Sequence, residues 1–372
     1  MITATQIEGR FDETEPATVG VEEELMLLRP ATRELVPEIE MALELAGGDP
    51  RFKRELPASQ IEALTTPCRD IGEVEAQMVS ARRDLATAVE GALELAAAGA
   101  HPSAPITGEI NSGPRYDAAA TYYGRGILGR QLVFALQIHV APGAADCALA
   151  VYNALRSSLP EIAALAANAP FFEGRDTGLA SIRPQIAQLL PRQGVPPPLA
   201  GWDEFAAALA WGETAGFMPD PGSWWWELRP HPGFGTLELR VSDAQTTVAD
   251  ATAVAAFVQC LAGWLGERHR AGESLPVHAT WRISENRWLA ARDGVEARVL
   301  DLDSGRPQRV RDRLAELFEQ LGPVAERLGC RAQLARAGRL AERNGAITQR
   351  EIAAERGLEG LLGWLCDEFL AA

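Results

Sequence analysis

The sequence predicts an α+β fold in which helices cover one face of an antiparallel β-sheet. Four β-prone runs alternate polar and apolar side chains, the pattern of strands with one buried and one polar face. These runs are 18–28, 59–65, 131–140 and 235–243. From Ile71 to Leu95, apolar residues recur at spacings of three and four, which indicates an amphipathic helix that needs a flat apolar surface to cover. We therefore expect helices behind the sheet and a polar, concave site in front of it.

The first run, TVGVEEELMLL, contains three consecutive glutamates. In a strand, Glu22 and Glu24 share one face and Glu23 points to the other. Two carboxylates on a covered face need a cation or shifted pKa values, and Mg²⁺ prefers such hard oxygen ligands. A solvated edge strand explains the same spacing, so this run alone leaves both interpretations open.

The other three runs carry polar residues of the same kind. Glu62 lies among apolar neighbours in the second run, and His139 shares a face with Gln137 in the third. Glu238 and Arg240 lie side by side in the fourth. A single histidine in a strand is more often structural, and a Glu–Arg pair is often a surface salt bridge. Because four strands carry such faces, we interpret them as one shared site, in which carboxylates bind Mg²⁺ and an arginine contacts a phosphoryl group.

Composition limits the other function classes. The 372 residues carry a net charge of -16, which argues against nucleic acid or an anionic membrane as the main partner. No signal peptide is recognisable at the start, so we expect a cytoplasmic protein with small-molecule substrates. The five cysteines are scattered without a CxxC pair, which indicates neither a disulfide framework nor a zinc cluster. Common nucleotide-binding and hydrolase motifs such as the P-loop and GxSxG are absent from the sequence.

Several regional expectations complete the outline. We expect residues 1–14 to be flexible and the chain from about residue 308 to 372 to be helical. Residues 277–284 predict a further short strand. The long loops 102–129 and 170–201 are expected to carry function.

Four sequence motifs resemble those of a known family. The sequence resembles the carboxylate–amine ligases called glutamate–cysteine ligase type 2, a branch of the glutamate–cysteine ligase superfamily. The motifs are GVEEE at 20–24, QIEALTTPC at 60–68, DPGSWWWELRPHPGFGTLELRVSDAQTTVADA at 220–251 and ENRWLAARDG at 285–294. The resemblance implies a single glutamine-synthetase-like catalytic domain over residues 1–372, with a curved antiparallel sheet and ATP at one end of a funnel.

The resemblance also assigns roles to residues. Those that match the family's metal ligands are Glu22, Glu24, Glu62, His139 and Glu238, with Glu55 a weaker match by its distance before Glu62. Arg240 matches the arginine that contacts the transferring phosphoryl group of ATP, and Glu238 and Arg240 are the expected catalytic pair. The implied cofactors are ATP and Mg²⁺ or Mn²⁺.

The implied reaction joins glutamate, or a similar acid, to cysteine or another amine through an acyl phosphate. Two alternatives remain open from the residues. One is a phosphotransferase of the guanidino-kinase type on the same architecture, and the other is a non-catalytic metabolite-binding protein. The acceptor pocket is expected to be built from the two long loops. A homodimer is compatible with the sequence.

Overall fold

The computed structural model describes residues 2–216 and 224–371. The first four residues of the motif at 220–251 therefore lie outside the described residues. The strands are β1 Val19–Leu28, β2 Phe52–Arg54, β3 Gln60–Leu64, β4 Glu94–Ala96, β5 Ala135–Val140, β6 Phe171–Phe172, β7 Arg175–Asp176, β8 Leu228–His231, β9 Thr236–Asp243, β10 Arg298–Leu300 and β11 Pro307–Arg309. The helices are α1 Ala4–Glu13, α2 Ile39–Leu45, α3 Ile71–Ala88, α4 Pro114–Tyr123, α5 Arg125–Leu128, α6 Ala145–Leu155, α7 Leu159–Leu165, α8 Arg183–Ala187, α9 Trp202–Thr214, α10 Val248–Arg270, α11 Thr280–Asp293, α12 Val310–Arg327, α13 Arg331–Glu342 and α14 Gly345–Asp367.

A seven-stranded sheet forms the centre of the fold. Its strands follow the order β2-β3-β1-β5-β9-β8, and β4 pairs with the last residues of β1. Each of these pairings is antiparallel. The α+β class with an antiparallel sheet is thus confirmed, and the four runs that alternate polar and apolar residues contain β1, β3, β5 and β9.

Helices cover the apolar face of this sheet. Val21, Ile138 and Leu239 from three adjacent strands belong to the main core cluster, together with side chains of α3, α6 and α10. Helix α10 contacts β5 directly. It is long and apolar enough to span a membrane, but 78% of that window is buried inside the protein. In this structure α10 is therefore the central core helix.

The N-terminal segment forms helix α1 over Ala4–Glu13, in a stretch that the sequence analysis expects to be flexible. Thr3 caps helix α1 in a capping box with Gln6, which satisfies backbone N–H groups at the helix start. Ile7 and Phe11 are fully buried, and the Phe11 ring stacks on Trp202 of α9 at 4.8 Å. These two apolar side chains, in an otherwise polar stretch, dock the helix on the core.

The end of α1 packs against the turn between β8 and β9. Gly235 in this turn has a φ of +66°, and a Cβ there would lie 2.3 Å from the Arg10 carbonyl oxygen. The Thr14 hydroxyl donates a hydrogen bond to the Phe234 carbonyl at 3.1 Å. Glycine is therefore required at position 235 both by the backbone conformation and by the close approach of α1.

A buried ion pair joins the back of the sheet to α3. Glu23 is 2% exposed and Arg82 is fully buried, and Arg82 Nη2 lies 2.7 Å from Glu23 Oε2. The same guanidinium donates to the backbone carbonyls of Gln245, Thr246 and Phe369. One side chain thus connects β1, α3, the start of α10 and the C-terminal turn.

We predict that Arg82→Met lowers the free energy of unfolding by about 3–5 kcal/mol, because it leaves the Glu23 carboxylate buried without its partner. Urea denaturation measures this change. Arg83→Met is the matched control, since Arg83 is the neighbouring residue of α3 and is exposed. Equal stability of the two variants would show that the pair does not hold these elements together.

Candidate active site

Strand register brings the predicted polar residues to one face of the sheet. Glu24 in β1 lies opposite Glu62 in β3, and Glu22 lies opposite Gln137 in β5. Across the next pair of strands, His139 lies opposite Glu238. Because side chains alternate between the two faces of each strand, all of these side chains point away from the helical layer. Glu23, between the two site glutamates, points to the other face and binds Arg82.

Glu238 forms the electrostatic centre of one half of the site. It is 1% exposed and accepts hydrogen bonds from Arg229 Nε at 2.6 Å and Arg229 Nη2 at 3.0 Å. Arg240 Nη1 also donates to Glu238 at 2.6 Å and contacts Gln137. Burial alone would raise the pKa of Glu238, but the two guanidinium groups outweigh it and hold that pKa well below its ordinary value.

Arg229 is a site residue that sequence reasoning missed. It lies opposite Glu238 in the β8–β9 register and forms a buried ion pair with it. The sequence feature that could have indicated a role for Arg229 is its position in the β-prone stretch WELRP at 226–230. That stretch alone does not reveal which strand it pairs with.

The other half of the site holds crowded carboxylates. Burial, reinforced by the charge of Glu55, raises the pKa of Glu24 to about 7. Burial and the nearby Glu55, Glu22 and Glu24 raise the pKa of Glu62 well above its ordinary value. Burial also raises the pKa of Glu55. Gln137 Nε2 donates to Glu24 at 3.1 Å and to Glu62 at 3.5 Å. If Glu24, Glu55 and Glu62 were all ionised, their negative charge would exceed the positive charge of the groups around them.

His139 and Glu22 form a third feature of the face. The His139 Nδ1 and the Thr236 hydroxyl are 2.9 Å apart, while Nε2 lies 3.3 Å from Glu22 Oε1. That Nε2 is buried, and its contact with the Glu22 carboxylate lacks good hydrogen-bond geometry. Burial alone would raise the pKa of Glu22, but the interaction with His139 outweighs it and lowers that pKa.

These residues fit a divalent cation by their chemistry. Carboxylate oxygens suit Mg²⁺ or Mn²⁺. A histidine fixed through one ring nitrogen, with the other facing a carboxylate, has an arrangement that suits a metal-ligating imidazole. Among residues 2–216 and 224–371, however, no three His, Cys, Asp or Glu side chains are arranged as a ready metal centre. The metal-ligand set Glu22, Glu24, Glu55, Glu62, His139 and Glu238 therefore stays a prediction.

Two cavities open on this face. The larger, of about 540 Å³, is lined by Glu22, His139, Lys53 and the exposed ring of Phe234, among others. The Phe234 ring is 59% exposed and stacks on His231 at 4.2 Å. An exposed aromatic ring beside charged groups is suited to stacking on a planar ligand.

The smaller cavity, of about 150 Å³, lies beside Glu24, Glu55 and Arg240. Its outer wall comes from α4 and α5, in the loop expected at 102–129, and from α8 and the residues after it, in the loop expected at 170–201. Both long loops thus contribute to the site, as the sequence analysis expects.

Comparison with known proteins identifies the family. The model of the Glutamate-cysteine ligase family 2 (GCS2) matches residues 18–367. The chain is 36% identical over 370 residues to a Frankia alni protein named "Putative glutamate--cysteine ligase 2-1", with 97% of this chain and 96% of that protein covered. A Rubrobacter xylanophilus protein numbered 2-3 in the same naming series is also 36% identical, over 368 residues, with 97% of this chain and 99% of that protein covered.

Solved structures show the same fold at low sequence identity. The crystal structure of glutamate–cysteine ligase from Francisella tularensis in complex with AMP matches with a TM-score of 0.69 and 12% identity, covering 97% of this chain and 90% of that chain. A bifunctional glutathione synthetase from Pasteurella multocida matches with a TM-score of 0.63 and 13% identity, covering 99% of this chain and 53% of that chain. The expected fold is confirmed.

The family match also decides among the three functions that the residues left open, because it favours the ligase over the guanidino kinase and over a non-catalytic binding protein. The chain belongs to glutamate–cysteine ligase family 2 and is an enzyme of the carboxylate–amine ligase type.

Proposed function

We propose that this enzyme uses ATP to phosphorylate the carboxylate of glutamate, or of a similar acid, and then transfers the acyl group to an amine. The observation that carries the proposal is the single polar sheet face, where crowded carboxylates and Arg240 lie between two cavities. Phosphoryl transfer needs this combination, because charge on the nucleotide must be neutralised while donor and acceptor are aligned.

The two cavities suit the two kinds of substrate. The larger cavity, of about 540 Å³, suits the nucleotide, with Phe234 stacking on the base and Lys53 near the phosphates. The smaller cavity, of about 150 Å³, suits the acid and the amine. Glu22 lines the larger cavity and Glu24 lines the smaller one. The reacting carboxylate and the terminal phosphate would therefore meet over the face of β1, between these two glutamates.

The catalytic groups act by position and charge. Arg240 is held by Glu238 and Gln137, so its planar guanidinium is fixed before substrate arrives and can stabilise charge on the transferring phosphoryl group. Glu238 in turn is fixed by Arg229. No covalent enzyme nucleophile is needed, and the loops over the smaller cavity would exclude water from the acyl phosphate.

The carboxylates and His139 would hold Mg²⁺ or Mn²⁺. When bound, the cation would neutralise nucleotide phosphates and the excess charge of the glutamates. Glu24, Glu55, Glu62 and His139 have the unsatisfied charge or lone pair that this role requires, and Glu22 lies 3.3 Å from the His139 Nε2. Glu238 already accepts from two arginines, so we propose that it contributes at least as much by holding Arg240. We also propose a cytoplasmic location.

The direct test incubates the enzyme with ATP, Mg²⁺, glutamate and a panel of amines. We expect ADP and phosphate to be released together with an amide, detected by mass spectrometry, and EDTA to abolish turnover. Formation of a phosphorylated product without free phosphate would instead support the guanidino-kinase reaction. ADP release that does not depend on the amine would contradict the ligase mechanism.

We predict that Arg240→Lys lowers kcat by about ten- to a thousandfold, because lysine keeps the charge but loses the planar fork that contacts the transferring phosphoryl group. Affinity for ATP should change little, since the contact strengthens in the transition state. Steady-state kinetics and nucleotide binding measure the two effects. Arg130→Lys, at an exposed arginine outside the site, is the control, and an unchanged kcat in Arg240→Lys would place the chemistry elsewhere.

A second variant tests the crowded carboxylates through pH. Because burial raises the pKa of Glu24 from the ordinary 4.5 to about 7, the folded protein keeps a proton that the unfolded chain has released. Its contribution to stability is present below pH 4.5 and is lost as the pH rises through about 7. We predict that Glu24→Gln raises the Tm of the metal-free protein at pH 8 by about 2 °C or more.

At pH 5 the two proteins should differ less, because glutamine resembles the protonated glutamate. Thermal unfolding at both pH values measures the difference. Glu44→Gln, at an exposed glutamate of α2, should leave Tm unchanged at either pH. A gain from Glu24→Gln that is the same at pH 5 and pH 8 would contradict the raised pKa.

A further inference from the structure

We infer that Gln60 selects the acid substrate, by donating a hydrogen bond from its side-chain amide to the carboxylate that does not react. In glutamate this group is the α-carboxylate. The inference rests on the proposed function and adds to it a binding group for the far end of the acid. It follows from the register of β3 on β1 and from the hydrogen bonding of the Gln60 amide.

Strand register places Gln60 beyond the reaction centre. Gln60 is the first residue of the QIEALTTPC motif and lies opposite Met26 in β1, whereas Glu62 lies opposite Glu24. Residues 60 and 62 share one face of β3, so the Gln60 side chain points to the polar face of the sheet. The order along this face therefore runs from Glu22, at the larger cavity, through Glu24 to Gln60, at the smaller one.

The spacing along the face fits a five-carbon acid. Two residues of a strand span about 7 Å, so Gln60 lies about that far beyond Glu24, on the side away from the larger cavity. The two carboxyl carbons of extended glutamate are about 5 Å apart, because four C–C bonds join them. A hydrogen bond adds about 3 Å. An acid whose reacting carboxylate lies near Glu24 can thus reach Gln60 with its other carboxylate.

The Gln60 amide has hydrogen-bonding capacity that the protein does not use. The side chain is 2% exposed and lines the smaller cavity. Its Oε1 is buried without a partner, and its Nε2 makes no hydrogen bond within residues 2–216 and 224–371. An unpaired amide is unfavourable in the interior of a protein. Its retention beside a cavity is explained if a ligand supplies the partner.

Other amide and hydroxyl groups of this cavity are engaged within the protein. Gln131 Nε2 donates to the Ile186 carbonyl at 3.1 Å, and the Tyr116 hydroxyl donates to the Arg54 carbonyl at 3.2 Å. In the described part of the chain, Gln60 is the residue lining this cavity that has a buried polar atom without a partner. It is therefore the side chain best suited to recognise a substrate by a directional hydrogen bond.

The charges around the cavity suit the zwitterionic end of an amino acid. Arginines and glutamates both line it, namely Arg115, Arg183, Arg240, Glu24, Glu55 and Glu227. The α-carboxylate of glutamate can approach the arginines and its α-ammonium the glutamates. Charge of both signs admits this end of the substrate in more than one orientation, whereas a hydrogen bond has a preferred direction. The Gln60 Nε2 supplies the donor that fixes the orientation.

The test measures acid specificity with hydroxylamine as the amine, so that the identity of the natural amine does not enter. The acids are glutamate and 4-aminobutyrate, which has the amino group and the reacting carboxylate but lacks the α-carboxylate. With ATP and Mg²⁺, we expect the wild-type kcat/KM for hydroxamate formation to be higher for glutamate by about tenfold or more. A wild type that uses both acids equally well would overturn the inference.

Gln60→Met removes the amide from a side chain of similar size. It should lower kcat/KM for glutamate by about tenfold or more, chiefly through KM, and leave that for 4-aminobutyrate within about twofold of the wild type. Gln320→Met, at an exposed glutamine of α12, is the matched control. Equal losses with both acids would show that Gln60 does not act on the α-carboxylate, and the inference would be wrong.

Gln60→Glu tests the direction of the hydrogen bond. An ionised carboxylate at this position keeps the shape of the side chain and accepts hydrogen bonds but donates none. We expect kcat/KM for glutamate to fall at least as far as in Gln60→Met. An unchanged or raised value would mean that residue 60 accepts from the α-ammonium instead, which contradicts the inference.

Thermal unfolding separates a binding role from a structural one. Because Gln60→Met removes a buried amide that lacks a partner, its Tm should equal or exceed that of the wild type while its activity with glutamate falls. A Tm that falls together with the activity would assign Gln60 a structural role and would overturn the inference.

Hydroxamate formation by the wild type separates this inference from the proposed function. A wild type that forms no hydroxamate from either acid overturns the proposed function and this inference with it. Glutamyl hydroxamate formation that Gln60→Met leaves unchanged overturns the inference alone.

Discussion

The opposite orientation of neighbouring glutamates in β1 is the constraint on which the rest of this structure depends. Glu23 points into the helical layer, where the fully buried Arg82 neutralises it. Glu22 and Glu24 point to the other face, where neutralisation is incomplete and the pKa of Glu24 is raised to about 7. The same strand therefore has one face whose charge is balanced, which stabilises the fold, and one face left ready for a charged ligand. The buried, neutralised face helps to hold β1 between β3 and β5. The strand can therefore tolerate the excess negative charge on its other face.

Much of the site follows from the sequence because strand alternation is a local property. Glu22, Glu62, His139 and Glu238 were predicted on one face from period-two patterns alone, and register brings them there. The partner of Glu238 could not be predicted in this way. Arg229 reaches it because β8 lies beside β9, and strand order is a tertiary property that local spacing does not contain.

Two segments show where local patterns mislead. Polar composition suggested a flexible start, but Ile7 and Phe11 have the spacing of one helix face and dock it on the core. Residues 277–284 suggested a strand, whereas helix α11 begins at Thr280. Its buried residues Ile283, Asn286, Arg287 and Ala290 recur at helical spacing, and that periodicity becomes visible when the window is extended beyond the short β-prone run.

The contact between α1 and the turn at Gly235 has a consequence for the order in which the molecule assembles. Thr14 and Phe234 are 220 residues apart in sequence, yet their contact completes one wall of the larger cavity. During synthesis the chain emerges in order of sequence, so the contact of Thr14 with Phe234 cannot form until the turn between β8 and β9 has been made. Such long-range closure is slow relative to local folding. The wall of the larger cavity that contains Phe234 is consequently expected to form late in folding, although α1, which packs against it, is synthesised early.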